Sequence, residues 1–119
     1  MKRALFLLAV SLLAQPEETL KQAISLHQSG NPEAAIPLYE KYLAAQPASL
    51  LAHSNLGAAL ARLGRYNDAI THYRQALKLN PNNPSVELNL GLAYYKTNQL
   101  APASTTFAKV HQAAPNELQ

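Results

Sequence analysis

Four histidines, His27, His53, His72 and His111, are the side chains here best suited to bind a metal or move a proton near neutral pH. They are far apart in sequence, and no two stand at the i, i+4 spacing that puts a pair of imidazoles on one helical face. They also take different places in the internal repeat described below, so no metal site is expected. Ser54 follows His53, but adjacency in sequence does not align a hydroxyl with a base, and Gly-x-Ser-x-Gly is absent. There is no cysteine, which removes disulfides, thiolate metal sites and thiol nucleophiles. No glycine-rich phosphate loop occurs either. The expectation is therefore no catalytic residue, no metal, no cofactor and no small-molecule substrate: a chain that is not an enzyme.

Composition points the same way. Of 119 residues, 48% are hydrophobic and only 14% charged, enough apolar material for a core and too little net charge for disorder. Alanine and leucine dominate, which favours helix. The formal charge of +3 owes two of its ten basic residues to Lys2 and Arg3. Without them eight basic side chains face seven acidic ones, and Lys21, Lys41, Lys78, Lys96 and Lys109 are scattered. A nucleic-acid surface needs a clustered excess, so no nucleic-acid partner is expected.

Residues 1–14 form a separate unit. Met1-Lys2-Arg3 is positive, Ala4 to Ala14 is apolar, and Gln15-Pro16-Glu17-Glu18 breaks the run. As a helix the apolar stretch reaches about 16 Å, against roughly 30 Å of bilayer hydrocarbon, too short for an ordinary span. The pattern predicts a secretory signal peptide and export to a bacterial periplasm. A helical extension on the first repeat, or membrane association through this segment, is the alternative. Cleavage after Ala14 would place Leu12 where a small residue is preferred. Cleavage after Ser11 meets the preference with Ala9 but leaves a very short apolar core.

The rest of the chain repeats at an offset of 34. Ala35, Ala69 and Ala103 align, as do Tyr39, Tyr73 and Phe107, and Pro47, Pro81 and Pro115. Leu56-Gly57 matches Leu90-Gly91, and Gly30 and Gly64 match Asn98. Several columns at one spacing define units 16–49, 50–83 and 84–117. Each reads as two amphipathic helices. In the second unit Leu56, Ala59, Leu60 and Leu63 make one apolar stripe, Gly64 stops the helix, and Ala69, Ile70, Tyr73, Ala76 and Leu77 make the next stripe. Pro32 and Pro102 suit the first turn of second helices, Pro37 lies deeper and predicts local distortion, and Glu17-Glu18 favours a helix start. Gly57 and Ala69 allow close approach of the paired helices, with Tyr73 filling the space beyond. A single hairpin cannot cover its own apolar face, so the units must stack.

This pattern resembles the tetratricopeptide repeat, whose signature runs Trp-x2-Leu-Gly-x2-Tyr, then Ala-x3-Phe, then Pro. The middle unit supplies Leu56, Gly57, Leu60, Ala69, Tyr73 and Pro81 at those places, and the last supplies Leu90, Gly91, Tyr94, Ala103, Phe107 and Pro115. The tryptophan place holds Thr19, His53 and Glu87. Gln22-Ala23 replaces Leu-Gly in the first unit, which is expected to be the loosest. The small residue near the end of the second helix, Ala76 in the middle unit, becomes Tyr42 and Val110 in the others, and close packing is not expected there. The resemblance implies an all-α fold, an α-solenoid of three tandem helix-turn-helix repeats coiled as a right-handed superhelix, whose first helices line a concave groove.

Carried over place by place, the groove residues are Leu20, Ile24, His27 and Gln28 from the first unit, and Leu51, Asn55, Ala58 and Arg62 from the second. The third contributes Leu88, Asn89, Leu92, Tyr95 and Lys96. One subtype of the family clamps a C-terminal carboxylate with Lys and Asn in the first helix, Asn in the second, and Lys and Arg in the third. Leu20, Ile24, Asn55, Ser85 and Asn89 take those places here and only Asn55 agrees, so a clamp is not expected. Leucines, Ile24 and Tyr95 offer apolar contact, Asn55 and Asn89 suit a peptide backbone, and Arg62 and Lys96 suit an acidic residue. The expected function is a protein-interaction scaffold binding a peptide or partner helix. Two other classes stay open: a structural module that self-associates through the last repeat, where Phe107, Ala108 and Val110 are expected to be partly uncovered, and the repeat portion of a larger, enzymatic protein.

Overall fold

The structure, a computed structural model, describes residues 15–113; the signal-peptide expectation falls on residues outside this range. Six helices follow one another: α1 (Gln15–Gln28), α2 (Pro32–Ala45), α3 (Leu50–Arg62), α4 (Tyr66–Leu79), α5 (Pro84–Lys96) and α6 (Leu100–Ala113). The described residues contain no strand. Each helix packs on the next, α1 on α2, α3 on α4 and α5 on α6 within hairpins, and α2 on α3 and α4 on α5 between them; α3 also touches α1 and α5. The architecture is an all-α helical solenoid.

Helices of 13 or 14 residues are marginal in isolation, so their apolar faces must hold them in place. Ala23, Tyr39, Leu56, Ala59, Ala69 and Ala76 are completely or almost completely buried in one continuous core that runs through all three hairpins. Burial of a leucine such as Leu56 or Leu60 is worth about 1.5–3 kcal/mol. Among the described residues no helix is long and apolar enough to cross a membrane.

The turns follow from residue type. Gly30 (φ 88°), Gly64 (φ 78°) and Asn98 (φ 61°) end the first helix of each hairpin in the left-handed conformation that glycine, and less readily asparagine, adopts. The same pair of hydrogen bonds closes all three ends. Asn31 N–H donates to Leu26 O, Arg65 N–H to Leu60 O and Gln99 N–H to Tyr94 O at 2.8–2.9 Å, each beside a shorter loop closed by the preceding residue. Asn31, Ser49 and Asn83 cap the helices that follow by accepting from Ala34, Ala52 and Val86 N–H.

Pro37 lies inside α2, which runs through it; the carbonyl it leaves unpaired is that of exposed Glu33, where water can serve. One expectation is corrected: the first hairpin is not loose at its centre. Ala23 takes the place of Gly57, and both it and Tyr39 are fully buried. Further out the packing does vary: Ala76 is fully buried, whereas Tyr42 and Val110 at the same place are half-covered.

Candidate functional site

The first helices, α1, α3 and α5, present one stripe at helical spacing, and the 34-residue offset aligns its columns. Leu20, Ser54 and Leu88 form one column; Lys21, Asn55 and Asn89 the next; then Ile24, Ala58 and Leu92; His27, Ala61 and Tyr95; and Gln28, Arg62 and Lys96. Two hollows open along this stripe. One, of about 250 Å³, lies between α1 and α3 and is lined by Ile24, His27, Gln28, Tyr39, Asn55 and Arg62. The other, of about 330 Å³, lies between α3 and α5 and includes Ala58, Arg62, Tyr66, Tyr73, Asn89, Leu92 and Lys96. Arg62 borders both, so the two hollows form successive parts of one trough.

Of the residues expected to line the groove, Ile24, His27, Gln28, Asn55, Ala58, Arg62, Asn89, Leu92 and Lys96 meet in these hollows. Leu20 is half-buried against the core, and Leu51, Leu88 and Tyr95 stand on the surface with 51%, 43% and 60% of their area exposed. Sequence reasoning missed Tyr66, Ala61 and Ala93, together with the rings of Tyr39 and Tyr73 that floor the hollows. Tyr66 is the first residue of α4, and its place beside the turn that ends α3 was the available signal.

Arg62 has a structural duty as well. Its Nη1–H donates to the carbonyl of His27 at 3.3 Å, tying the end of α3 to the end of α1. A guanidinium has five N–H donors, so this bond leaves others for a ligand. Burial, and then the Arg62 charge, hold His27 below its ordinary pKa, so the imidazole is neutral at physiological pH. Its Nδ1 lies 3.3 Å from the Tyr39 hydroxyl, with the rings edge to face. The nearby Arg65 is drawn aside by Asp68, whose Oδ2 it meets at 3.1 Å.

The structure also brings together what the sequence kept apart. His53 and His72, on paired helices, meet with Nδ1 atoms 3.1 Å apart, and His53 Nε2 lies 2.9 Å from Pro47 O. Repeat place alone hid this contact, because the two places belong to facing helices. Among the described residues no group of three or more His, Cys, Asp or Glu could hold a metal ion. Two larger hollows, of about 570 and 480 Å³, lie on the other side of α5, against the second helices.

Family models for the tetratricopeptide repeat match residues 26–71, 59–98 and 85–117. Tetratricopeptide repeat protein 28 of Homo sapiens is 29% identical over 102 residues, which cover 86% of this chain and 4% of that protein. The chain spans between 4% and 12% of the curated relatives it matches. Among solved structures, MamA superposes with a TM-score of 0.78 at 28% identity, covering 95% of this chain and 68% of that one. The second tetratricopeptide domain of Spaghetti (RPAP3), solved with an HSP90 peptide, SRMEEVD, gives 0.78 at 23% identity over 83% of this chain and 92% of that one. That likeness is one of fold. With three repeat matches running together from residue 26 to residue 117 over stacked helical hairpins, the chain belongs to the tetratricopeptide repeat family.

Proposed function

We propose that this chain is a protein-interaction scaffold that holds an extended, acidic peptide segment along the trough of α1, α3 and α5. The observation that carries this reading is the pair of hollows joined at Arg62, with Asn55 in one and Asn89 and Lys96 in the other. Half-buried asparagine amides can donate to and accept from a peptide backbone, which fixes an extended strand without reading its sequence. The exposed leucines at 51, 88 and 92 and Tyr95 supply apolar contact, and Arg62 and Lys96 favour a carboxylate. A similar fold in RPAP3 was solved with a peptide bound, which supports peptide binding as a use of this architecture.

The test is selection of peptides on the purified domain, followed by affinity measurement on single-site variants. Asn89→Ala and Lys96→Glu are each expected to weaken selected acidic peptides about tenfold, the effect of losing roughly 1.4 kcal/mol. Arg62→Glu should weaken them further and also lower thermal stability, because the bond to His27 is lost. Peptides that bind all three variants with unchanged affinity would show that the trough is not the site. We further propose that residues 1–14 direct export, on the strength of their positive start, apolar run and polar break. N-terminal sequencing of the native protein decides it: an intact Met1 in the cytosol would end the idea.

A further inference from the structure

A hollow of about 570 Å³ lies on the side of α5 opposite the trough. Glu87, Leu90 and Tyr94 face it, whereas Asn89, Leu92 and Lys96 of the same helix face the other way. Its floor is apolar, from Leu77, Leu90, Tyr94 and two prolines, and its rim carries three cations, Arg74 and Lys78 on α4 and Lys109 on α6. All three are exposed. Against them stands one carboxylate, Glu87, which is only 8% exposed and lies in the wall. The hollow therefore carries a net positive rim over an apolar base. A second hollow shares Pro81, Glu87 and Lys109 with it and prolongs it past Gln112.

The preceding interface carries different residues at the equivalent places. Thirty-four residues earlier, the places of Glu87 and Thr106 are held by His53 and His72, whose rings meet between the paired helices. In the same comparison Arg74 replaces Glu40, Lys78 replaces Ala44 and Lys109 replaces Gln75. One interface thus places two imidazoles and an acidic residue where the next has Glu87, Thr106 and three positive charges.

We propose that the hollow on the α4–α6 side is a second docking site, for an acidic peptide segment of a partner protein in which carboxylates alternate with apolar side chains. Apolar side chains enter over Leu77, Leu90 and Tyr94 while carboxylates pair with Lys78, Lys109 and Arg74. A nucleic-acid backbone is a poorer occupant. Three cations neutralise few phosphates, and the apolar base of Leu77, Leu90 and Tyr94 matches apolar side chains rather than a phosphate backbone. Because this face is turned away from the trough, the two sites can be filled at once, and the scaffold joins two partners.

The probe is a synthetic, end-blocked peptide of alternating glutamate and leucine, titrated into the full chain while amide chemical shifts are followed. Saturable shifts at Lys78, Leu90 and Lys109 are expected, and the apparent affinity should fall with added salt. Lys78→Glu with Lys109→Glu should weaken those shifts about tenfold while leaving the fold intact, since both side chains are exposed. Asn89→Ala with Lys96→Glu, on the trough side, should leave them unchanged, so that failure here and failure of the trough are separate results. Shifts confined to the trough, equal binding of a glutamine-for-glutamate peptide, or saturation of the same amides by an oligonucleotide but not by the peptide would each overturn the proposal.

Discussion

At the scale of single residues, the contact between His53 and His72 is the most informative, because its geometry fixes where the protons are. The ring centroids are 5.4 Å apart and the planes 27° from parallel, with Nδ1 facing Nδ1 at 3.1 Å. Pro47 O can only accept, so His53 carries its hydrogen on Nε2 and offers a lone pair at Nδ1, to which His72 Nδ1–H donates. Burial, and then the neighbouring His53, lower the pKa of His72, while Glu40 and Asp68 pull the other way. A lowered imidazole pKa means that the unfolded chain binds more protons. The His72 contribution is then fully present above the ordinary value of about 6.5 and is lost as pH falls below it. Thermal melts should show stability dropping from about pH 7 to about pH 5, and dropping less in His72→Gln. One proton sets a ceiling of about 1.4 kcal/mol per pH unit, and the half-exposed ring keeps the effect below it. Identical pH slopes for the two proteins would rule His72 out as the titrating group. His27, also lowered, adds to the slope in the same direction and is removed by His27→Gln as a control.

At the scale of elements, the hairpins are set by one contact repeated. A Cβ placed on Gly57 would lie 2.6 Å from Tyr73 Cε1, and one on Gly91 would lie 2.6 Å from Phe107 Cε1. The Tyr73 ring is held on all sides: it is 2% exposed, and burial pushes its phenol pKa up to about 12, whereas Phe107 is half-covered. Gly57→Ala would gain roughly 1 kcal/mol of helix propensity and lose about 1–3 kcal/mol to overpacking. The second effect wins wherever the ring cannot move, so a lower melting temperature is expected, by several degrees. Gly57→Ala combined with Tyr73→Leu should recover part of that loss relative to Tyr73→Leu alone, and strict additivity would show that the two side chains do not compete for space. This contact was legible in the sequence, because Leu-Gly in one helix and an aromatic in the next recur at one offset. So were the turns at Gly30, Gly64 and Asn98, which depend on residue type alone. The docking geometry was less so. Ala23 shows why: an alanine at the glycine place reads as a loosened unit, yet it is completely buried, because how closely two helices dock is not written in residue identity alone. The His53–His72 pair and the hollow between α4 and α6 were illegible for the same reason, since both depend on how facing helices register.

At the scale of the whole molecule, stability is a sum over hairpins and the contacts between neighbours, because each unit touches only those beside it. Within the described residues α3 and α4 have a hairpin on each side, and α1 and α6 have one neighbouring face fewer. The core follows that order: Leu56, Ala59, Ala69 and Ala76 are sealed, whereas Phe107 and Val110 on α6 are only half-covered and Leu100 is 56% exposed. Fraying from α6 therefore costs little apolar burial, while opening α3 exposes the largest buried leucines, Leu56 and Leu60, at about 25 cal/mol per Å² of surface. Amide exchange should accordingly be slowest in α3 and α4 and fastest in α6, with opening free energies graded along the array rather than shared. The partly covered face of α6 gives the gradient a second meaning. If a second copy of the chain packs on that face, protection in α6 should rise with protein concentration while α3 and α4 stay the same. Exchange rates in α6 that do not change with concentration would mean that the last hairpin stands alone in solution, with its mobility available to the hollow that α6 shares with α4.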